Sequence, residues 1–356
     1  MPTTAERYDV RKLPVAALAT FLLLLTGCDE PAESAAPVPC ATGAASGQGS
    51  SAQANAINEW IRQYQIACAE AAVGYDSTGS GAGVRAFLAG TGDFAGTDAP
   101  LTETEQTTAT TRCGGAPAAH LPLVIGPIAL AYNVAGVADL RLTPATIAKI
   151  FNGKVTTWSD KAIAADNPGL VLPATPIRPV HREDSSGTTA NFTRFLAGAA
   201  RADWPYPPGS AWPAPGGLAR SGSDRLAAAI ARTDGAIGYA EASYARVNEL
   251  AMALVGDARG DFAAPTDQAA ATAVASARST GDLRLEVNYP DLYGGAYPLV
   301  QVTYEVVCRT GASAVARGFL AHAASPAGQA AASRAGYAPL PDTLRERVAA
   351  EVATLR

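Results

Sequence analysis

The chain has 356 residues and a formal net charge of −5, with 27 lysines and arginines against 32 aspartates and glutamates. An acidic balance excludes a general nucleic-acid surface, although one local site can still hold a small anion against the global field. The length exceeds the roughly 250–300 residues at which a single core stops growing, so two lobes are expected.

Arg7, Arg11 and Lys12 make a basic start. Val15 to Leu25 is then an apolar run of 11 residues, shorter than the ~20 that a membrane span needs. Residues 1–27 read as an export signal. Its ending, Leu25-Thr26-Gly27-Cys28, resembles the lipobox of bacterial lipoproteins, whose cysteine is lipidated and becomes the new N-terminus. That resemblance implies an extracytoplasmic protein anchored to the cell membrane through Cys28, palmitate included, without spanning it. Residues 28–39, rich in Pro, Ala and Glu, read as a tether. Cys40, Cys68, Cys113 and Cys308 remain in the exported part, where disulfides persist. Four cysteines allow three pairings. The favoured one is Cys40–Cys68, stapling the tether's end to the first helix, with Cys113–Cys308 holding the chain's late return to its early part.

In chain order, Ile57, Trp60, Ile61 and Tyr64 share one helix face over Ala54–Tyr64, behind a turn with Ser50 and Ser51. Val73–Ser77 reads as a strand, and Thr78–Gly83 as a turn into a helix with Val84, Phe87 and Leu88. Gly92–Leu101 reads as a strand ending in a turn that carries Asp98. Leu121–Tyr132 is a continuous apolar run despite Pro122 and Pro127, expected to be a buried strand crossing between lobes. Thr143 caps a helix running to Phe151 with Pro144 in first position. A short helix is expected over Trp158–Ala165, and a strand over Ile177–Val180. Trp204–Gly217 is a Pro/Gly loop, Ser223–Ile230 a helix, and Asp234–Tyr239 a turn and strand. Gln268–Ala277 is an Ala-rich helix. Tyr297–Val307 is a strand pair or one long crossing strand. Val315–Ala323 and the last 20 residues are helical. Apolar runs alternating with helical patterns make this an α/β chain with helix-covered sheets. It shows no internal repeat, no coiled coil and no metal-ligand spacing.

Three segments share one pattern, a strand, a Ser/Thr/Gly turn and a short helix: Ser50-Ser51-Ala52, Gly79-Ser80-Gly81 and Ser186-Gly187-Thr188. The first turn of a helix offers unpaired N–H groups and roughly half a positive charge. Three such starts converging with Arg182, whose guanidinium fork fits oxyanions, would match a divalent oxyanion. Asp98 either caps its turn or has a sharper role. A carboxylate beside an anion repels it unless the anion brings a proton to donate. Phosphate brings one near neutral pH and sulfate does not, so an acceptor carboxylate admits the first and rejects the second. Gly79–Gly83 fits neither G-x-G-x-x-G nor a P-loop, so no nucleotide cofactor is expected. An enzyme built on Ser186, His181 and Asp184 would need its base within reach of the nucleophile. His181 lies five residues upstream on the strand side, which argues against it.

Several motifs stand in the same order as in the phosphate-binding proteins of ABC importers, the PstS family. They are Gly79-Ser80-Gly81-Ala82-Gly83, the run from Ala89 to Leu101, Phe151–Trp158, Arg182-x-Asp184-x-Ser186-Gly187-Thr188 and Gly235–Tyr239. The resemblance covers about residues 45 to 345. It implies a two-lobed periplasmic-binding-protein fold of type 2, each lobe a mixed sheet flanked by helices. The first lobe is expected over 40–133 plus 298–356 and the second over 134–297. It implies capture of inorganic phosphate in the cleft and delivery to ABC permease subunits, without chemistry on the ligand, by a monomer. Carried over by motif, Ser51 and Ser80 supply hydroxyls, Ala52 an amide, and Asp98 accepts the phosphate proton. Arg182 is the charged donor, supported by Asp184, and Ser186, Gly187 and Thr188 add hydroxyls and amides. Another tetrahedral oxyanion such as sulfate or molybdate, or a secreted phosphatase, are the alternatives. No metal and no cofactor are expected.

Overall fold

The computed structural model describes residues 38–279 and 282–356. The export signal, Cys28 and most of the tether lie outside the described residues. In chain order the elements begin β1 (Gly43–Gly49), α1 (Ala54–Ala67), β2 (Ala71–Asp76), α2 (Ser80–Leu88), β3 (Phe94–Thr97), α3 (Glu103–Arg112) and β4 (Ala118–Asn133). They continue with β5 (Arg141–Leu142), α4 (Pro144–Phe151), α5 (Lys161–Asp166), β6 (Arg178–Arg182), α6 (Gly187–Ala199), β7 (Leu218–Arg220), α7 (Ser223–Ala231), β8 (Ala236–Glu241) and α8 (Ala242–Val247). β9 (Ala251–Met252), β10 (Leu254–Gly256), β11 (Phe262–Ala263), α9 (Asp267–Ala275), β12 (Arg278–Ser279) and β13 (Leu285–Glu286) follow. The chain ends with β14 (Val300–Cys308), α10 (Ala314–Ala324), α11 (Pro326–Arg334) and α12 (Asp342–Ala353).

Among the described residues, nine strands form one sheet in the order β2-β1-β3-β14-β4-β8-β6-β7, with β9 also on β4. β4 is its spine. From Ala118 to Pro127 it pairs with β14, and from Ile128 to Asn133 with β8. The two prolines mark its irregular points. Pro127 is the last residue paired to β14, just before the change of partner. Pro122 pairs with Tyr304 while Val124 pairs with Thr303, so one residue of β4 is looped out as a bulge. Proline lacks the N–H that an inner ladder uses and is tolerated where the ladder is already broken.

Trp60, Tyr64 and Ile57 are buried on one face of α1 as their spacing requires, while Ile61 stays half-buried. The core continues through Leu121, Leu123, Ile125 and Leu130 of β4 to Phe192, Phe195 and Trp158. Cys40 pairs with Cys68 and Cys113 with Cys308, at Cα separations of 5.2 and 5.3 Å. The first ties the chain's entry to the end of α1, and the second ties α3's end to the end of β14.

Several boundaries differ from the sequence reading. Ser50 and Ser51 are not at a helix cap: α1 starts at Ala54 with Gln53 as its N-cap, and the serines occupy the preceding turn. The helix expected from Trp158 starts at Lys161, because the Asp160 side chain accepts from the Ala162 amide at 2.8 Å. The Ala-rich helix is α9, capped by Thr266. Of the two readings of Tyr297–Val307, the single long strand is the one found, as β14 from Val300. α3 was not anticipated, since Ala109 is its one buried residue. Its signal was the Thr102–Glu105 capping box, in which Thr102 and Glu105 satisfy each other's backbone amides.

Glu241 and Glu305 are fully buried, at 0 % and 1 % exposure. Burial pushes each carboxyl up to about 8. A folded value above the unfolded one stabilises fully below the unfolded value of 4.5 and is lost as pH rises through about 8. Glu305→Gln removes that loss. Its melting temperature relative to wild type is expected to be higher near pH 8.5 than near pH 5.5, by on the order of 5 °C. Melts followed by circular dichroism check this; equal offsets at both pH values would contradict it.

Candidate functional site

The candidate site lies where the carboxyl ends of parallel strands meet. β1 runs parallel to β2 and β3, and β6 runs parallel to β7 and β8. Ser50 and Ser51 follow β1, Ser80 follows β2 at the start of α2, and Asp98 follows β3. Arg182 ends β6, Ser223 follows β7 at the start of α7, and Glu241 ends β8. Ligands of open α/β sheets gather at such ends.

Asp98 is 3 % exposed and lies at the centre. Its Oδ1 accepts from Ser50 Oγ at 2.5 Å and from Thr303 Oγ1 at 2.8 Å. Its Oδ2 accepts from Ser80 Oγ at 3.3 Å and from Thr188 Oγ1 at 3.4 Å. Its main-chain oxygen accepts from Asn191 Nδ2 at 2.7 Å. Burial raises the carboxyl above its ordinary value, and the hydroxyls of Ser50 and Thr303 and the charge of Arg182 oppose that rise.

Arg182 is 2 % exposed. Its Nε donates to Asp184 Oδ1 at 2.7 Å, and its Nη2 donates to Asp184 Oδ2. Its Nη1 donates to Ser223 Oγ at 3.2 Å. The Arg182 amide donates to Tyr239 Oη at 3.2 Å, which fixes the strand end on its neighbour. Burial pushes the Asp184 carboxyl up, but the Arg182 guanidinium and the Gly222 amide more than reverse it and hold it below the ordinary range. Asp184 is therefore ionised, and two bonds of a bidentate fork hold Arg182 in place.

The two sides approach closely. Gly187 opens α6, and a Cβ there would come within 2.6 Å of both Asp98 Cβ and Ser80 Oγ. A Cβ at Gly79, where φ is +90°, would meet Asp184 Oδ2 at 2.3 Å. The Gly81 amide donates to Ser185 O at 3.0 Å. Ser51 Oγ shares a hydrogen bond with Ser223 Oγ at 3.0 Å and accepts from the Ser223 amide at 3.1 Å. Tyr244 Oη donates to Ser51 O at 2.5 Å, and Tyr337 Oη to Ala52 O at 2.7 Å, so two tyrosines hold the turn ahead of α1.

Of the residues singled out from sequence, Ser80, Asp98, Gly187 and Thr188 form one contact group, and Ser51, Arg182 and Asp184 a second. Ser223 bridges Ser51 to Arg182. Ser186 caps α6 by accepting from the Thr189 amide at 3.2 Å. The Ala52 amide donates to Ser50 Oγ at 3.1 Å. Sequence reasoning missed Ser223, Thr303, Asn191 and the part played by Ser50. Ser223 had a visible signal, because Ser221-Gly222-Ser223 repeats the turn pattern of the other helix starts. Thr303 had a weaker one, as a polar residue between Gln301 and Glu305 in an apolar strand.

His181 stacks on Trp212 with ring centroids 5.0 Å apart, and its Nδ1 meets Arg182 O at 3.0 Å. His120 is buried, with Nε2 accepting from the Leu101 amide at 3.1 Å, and His322 is buried beside Tyr64. Among the described residues, no group of three or more His, Cys, Asp or Glu could hold a metal ion. Among them, too, no helix is long and apolar enough to cross a membrane.

Residues 34–327 match the family model of a PBP superfamily domain. The chain is 38 % identical over 314 residues to the phosphate-binding protein PstS 3 of Mycobacterium tuberculosis, covering 85 % of this chain and 84 % of that one. It is 39 % identical over 317 residues to PstS 2 of the same organism, covering 85 % of each. The solved structure of a phosphate-binding protein from Stenotrophomonas maltophilia superposes with a TM-score of 0.69 at 25 % identity, covering 86 % of this chain and 93 % of that one. With two lobes of mixed sheet and flanking helices around a cleft, the chain belongs to the PstS family of phosphate-binding proteins within the PBP superfamily.

Proposed function

We propose that this protein captures inorganic phosphate outside the cytoplasm and delivers it to the subunits of an ABC permease. The observation that carries the reading is Asp98, a buried carboxylate facing hydroxyls from both sides of the cleft beside a paired arginine. Relatives at this level of identity are named phosphate-binding proteins, which supports the same ligand here.

In this reading the lobes are 40–133 plus 298–356 and 134–297. Ser51 and Ser80 donate hydroxyls to the anion. The Ala52 amide and Ser51 Oγ exchange their present bonds to Ser50 and Ser223 for phosphate oxygens. Arg182 supplies the one formal positive charge, and Asp184 keeps its fork oriented. Ser186 accepts from Thr189 and gives its own proton to the ligand, while Gly187 and Thr188 add amides from the start of α6. Asp98 accepts the proton that phosphate carries. No step breaks or forms a covalent bond. Cys28 carries the lipid that keeps the monomer at the membrane surface near its permease.

Calorimetric titration of the exported protein with phosphate, sulfate and molybdate near pH 7 tests the ligand. Phosphate is expected to bind tightly and sulfate at least 100-fold more weakly, about the discrimination expected when a buried polar group is left unpaired. Strong sulfate binding would defeat the assignment of Asp98. Asp98→Asn is expected to lower the phosphate-to-sulfate ratio more than it lowers phosphate affinity; retained sulfate exclusion would mean another residue sets it. Arg182→Ala should weaken phosphate binding by about 100-fold, and unchanged affinity would remove Arg182 from the site.

A further inference from the structure

Asp98 is held asymmetrically. Ser50 and Thr303 both point at Oδ1, at 2.5 and 2.8 Å. A hydroxyl carries one proton, and facing an ionised carboxylate oxygen it donates it. Contacts of this length to a charged acceptor are the strong kind. The contacts to Oδ2, from Ser80 and Thr188, are 3.3 and 3.4 Å. Ser80 Oγ also accepts from the Asp98 amide at 3.2 Å.

The backbone sets this arrangement up. Tyr304 pairs with Thr97 across β14 and β3, so Thr303 stands opposite Asp98 in antiparallel register. The register shift on the other side of β14, at Thr303 and Tyr304, faces Pro122 of β4. A bulge re-aims the side chains beside it. Ser50 is fixed on β3 by its amide, which donates to Gly96 O at 2.8 Å.

We infer that Ser50 and Thr303 are positioning residues for anion specificity: by donating together to Oδ1 they fix Asp98 as an acceptor and leave Oδ2 as the atom that takes a ligand's proton. This rests on the reading of Asp98 given above. A buried carboxylate stripped of its donors takes up a proton. A protonated Asp98 donates instead of accepting, and it then suits an anion with no proton as well as one that has one. The other charged and titratable groups around it are Arg182 at the end of β6, Glu305 on β14, Tyr75 on β2 and Tyr244 on α8. Arg182 favours the ionised form, and Glu305 is held neutral by its burial. The hydroxyls on Oδ1 are the groups that can be removed without changing any formal charge.

The test is calorimetry of the exported protein with inorganic phosphate and with sulfate, near pH 7 and near pH 5.5. Wild type is compared with Thr303→Val, Thr303→Ser, Ser50→Ala/Thr303→Val, and Asp98→Asn with and without Thr303→Val. Thr303→Val is expected to lower the phosphate-to-sulfate affinity ratio by about tenfold, and the double variant by about 100-fold, more at the lower pH. Thr303→Ser should keep the wild-type ratio. In the Asp98→Asn background Thr303→Val should change the ratio no further, whereas a purely structural loss would act in both backgrounds. A wild-type ratio in Thr303→Val, or an equal effect of Thr303→Val with and without Asp98, would overturn the inference. Wild type that binds no phosphate would instead overturn the reading it rests on.

Discussion

A carboxylate with 3 % of its surface exposed must have its charge met by the protein. Asp98 is met by hydroxyls, from Ser50, Ser80, Thr188 and Thr303. These come from four separate segments: the turn after β1, the start of α2, the start of α6, and β14. The site therefore assembles only when the sheet is complete. β3 carries Asp98, its neighbour β14 carries Thr303, and β4 joins that side to β8 and the strands that hold Arg182. Gly187 is part of the same constraint, since any side chain at that position would occupy the space where Asp98 and Ser80 meet α6.

The balance of charge follows from the same geometry. Arg182 is nearly neutralised by Asp184, so the centre offers donors more than it offers net positive charge. Helix starts at Ser80, Gly187 and Ser223 add partial positive charge without an ion. An acidic protein can then hold an anion through local dipoles and hydroxyls while its overall charge stays negative. In such a site the presence of one proton on the ligand would decide between anions of equal size and charge. In the proposed reading, neutral donors accept any tetrahedral oxyanion, and an ionised Asp98 selects among them.

Much of this was legible in the sequence. Asp98, Arg182 and two of the three helix starts at the site, Ser80 and Gly187, sit in local motifs, and local motifs are what residue spacing reports. The apolar run of β4 survived two prolines because apolar continuity outweighs a local break, and the prolines turned out to mark a bulge and a change of partner. What could not be read is long-range. Thr303 meets Asp98 across 205 positions, and Ser51 meets Ser223 across 172. Nothing near Thr303 in sequence indicates a partner that far away. Ser50 and Ser51 stand where a helix cap is expected from their spacing to Ile57 and Trp60, but neither serine caps α1. α3 escaped because a helix with one buried residue has no apolar stripe to detect.

The central claim is that Asp98 stays ionised in the complex and accepts the ligand's own proton. Proton linkage tests it most directly. Phosphate is titrated into the exported protein near pH 8.5 in two buffers of different ionisation heat, and the difference in apparent binding enthalpy counts protons exchanged with solvent. The account predicts no net proton uptake, because the singly protonated anion brings the proton that Asp98 accepts. Uptake of one proton per phosphate bound would mean that the carboxylate or the ligand must be protonated to form the complex, and would contradict it.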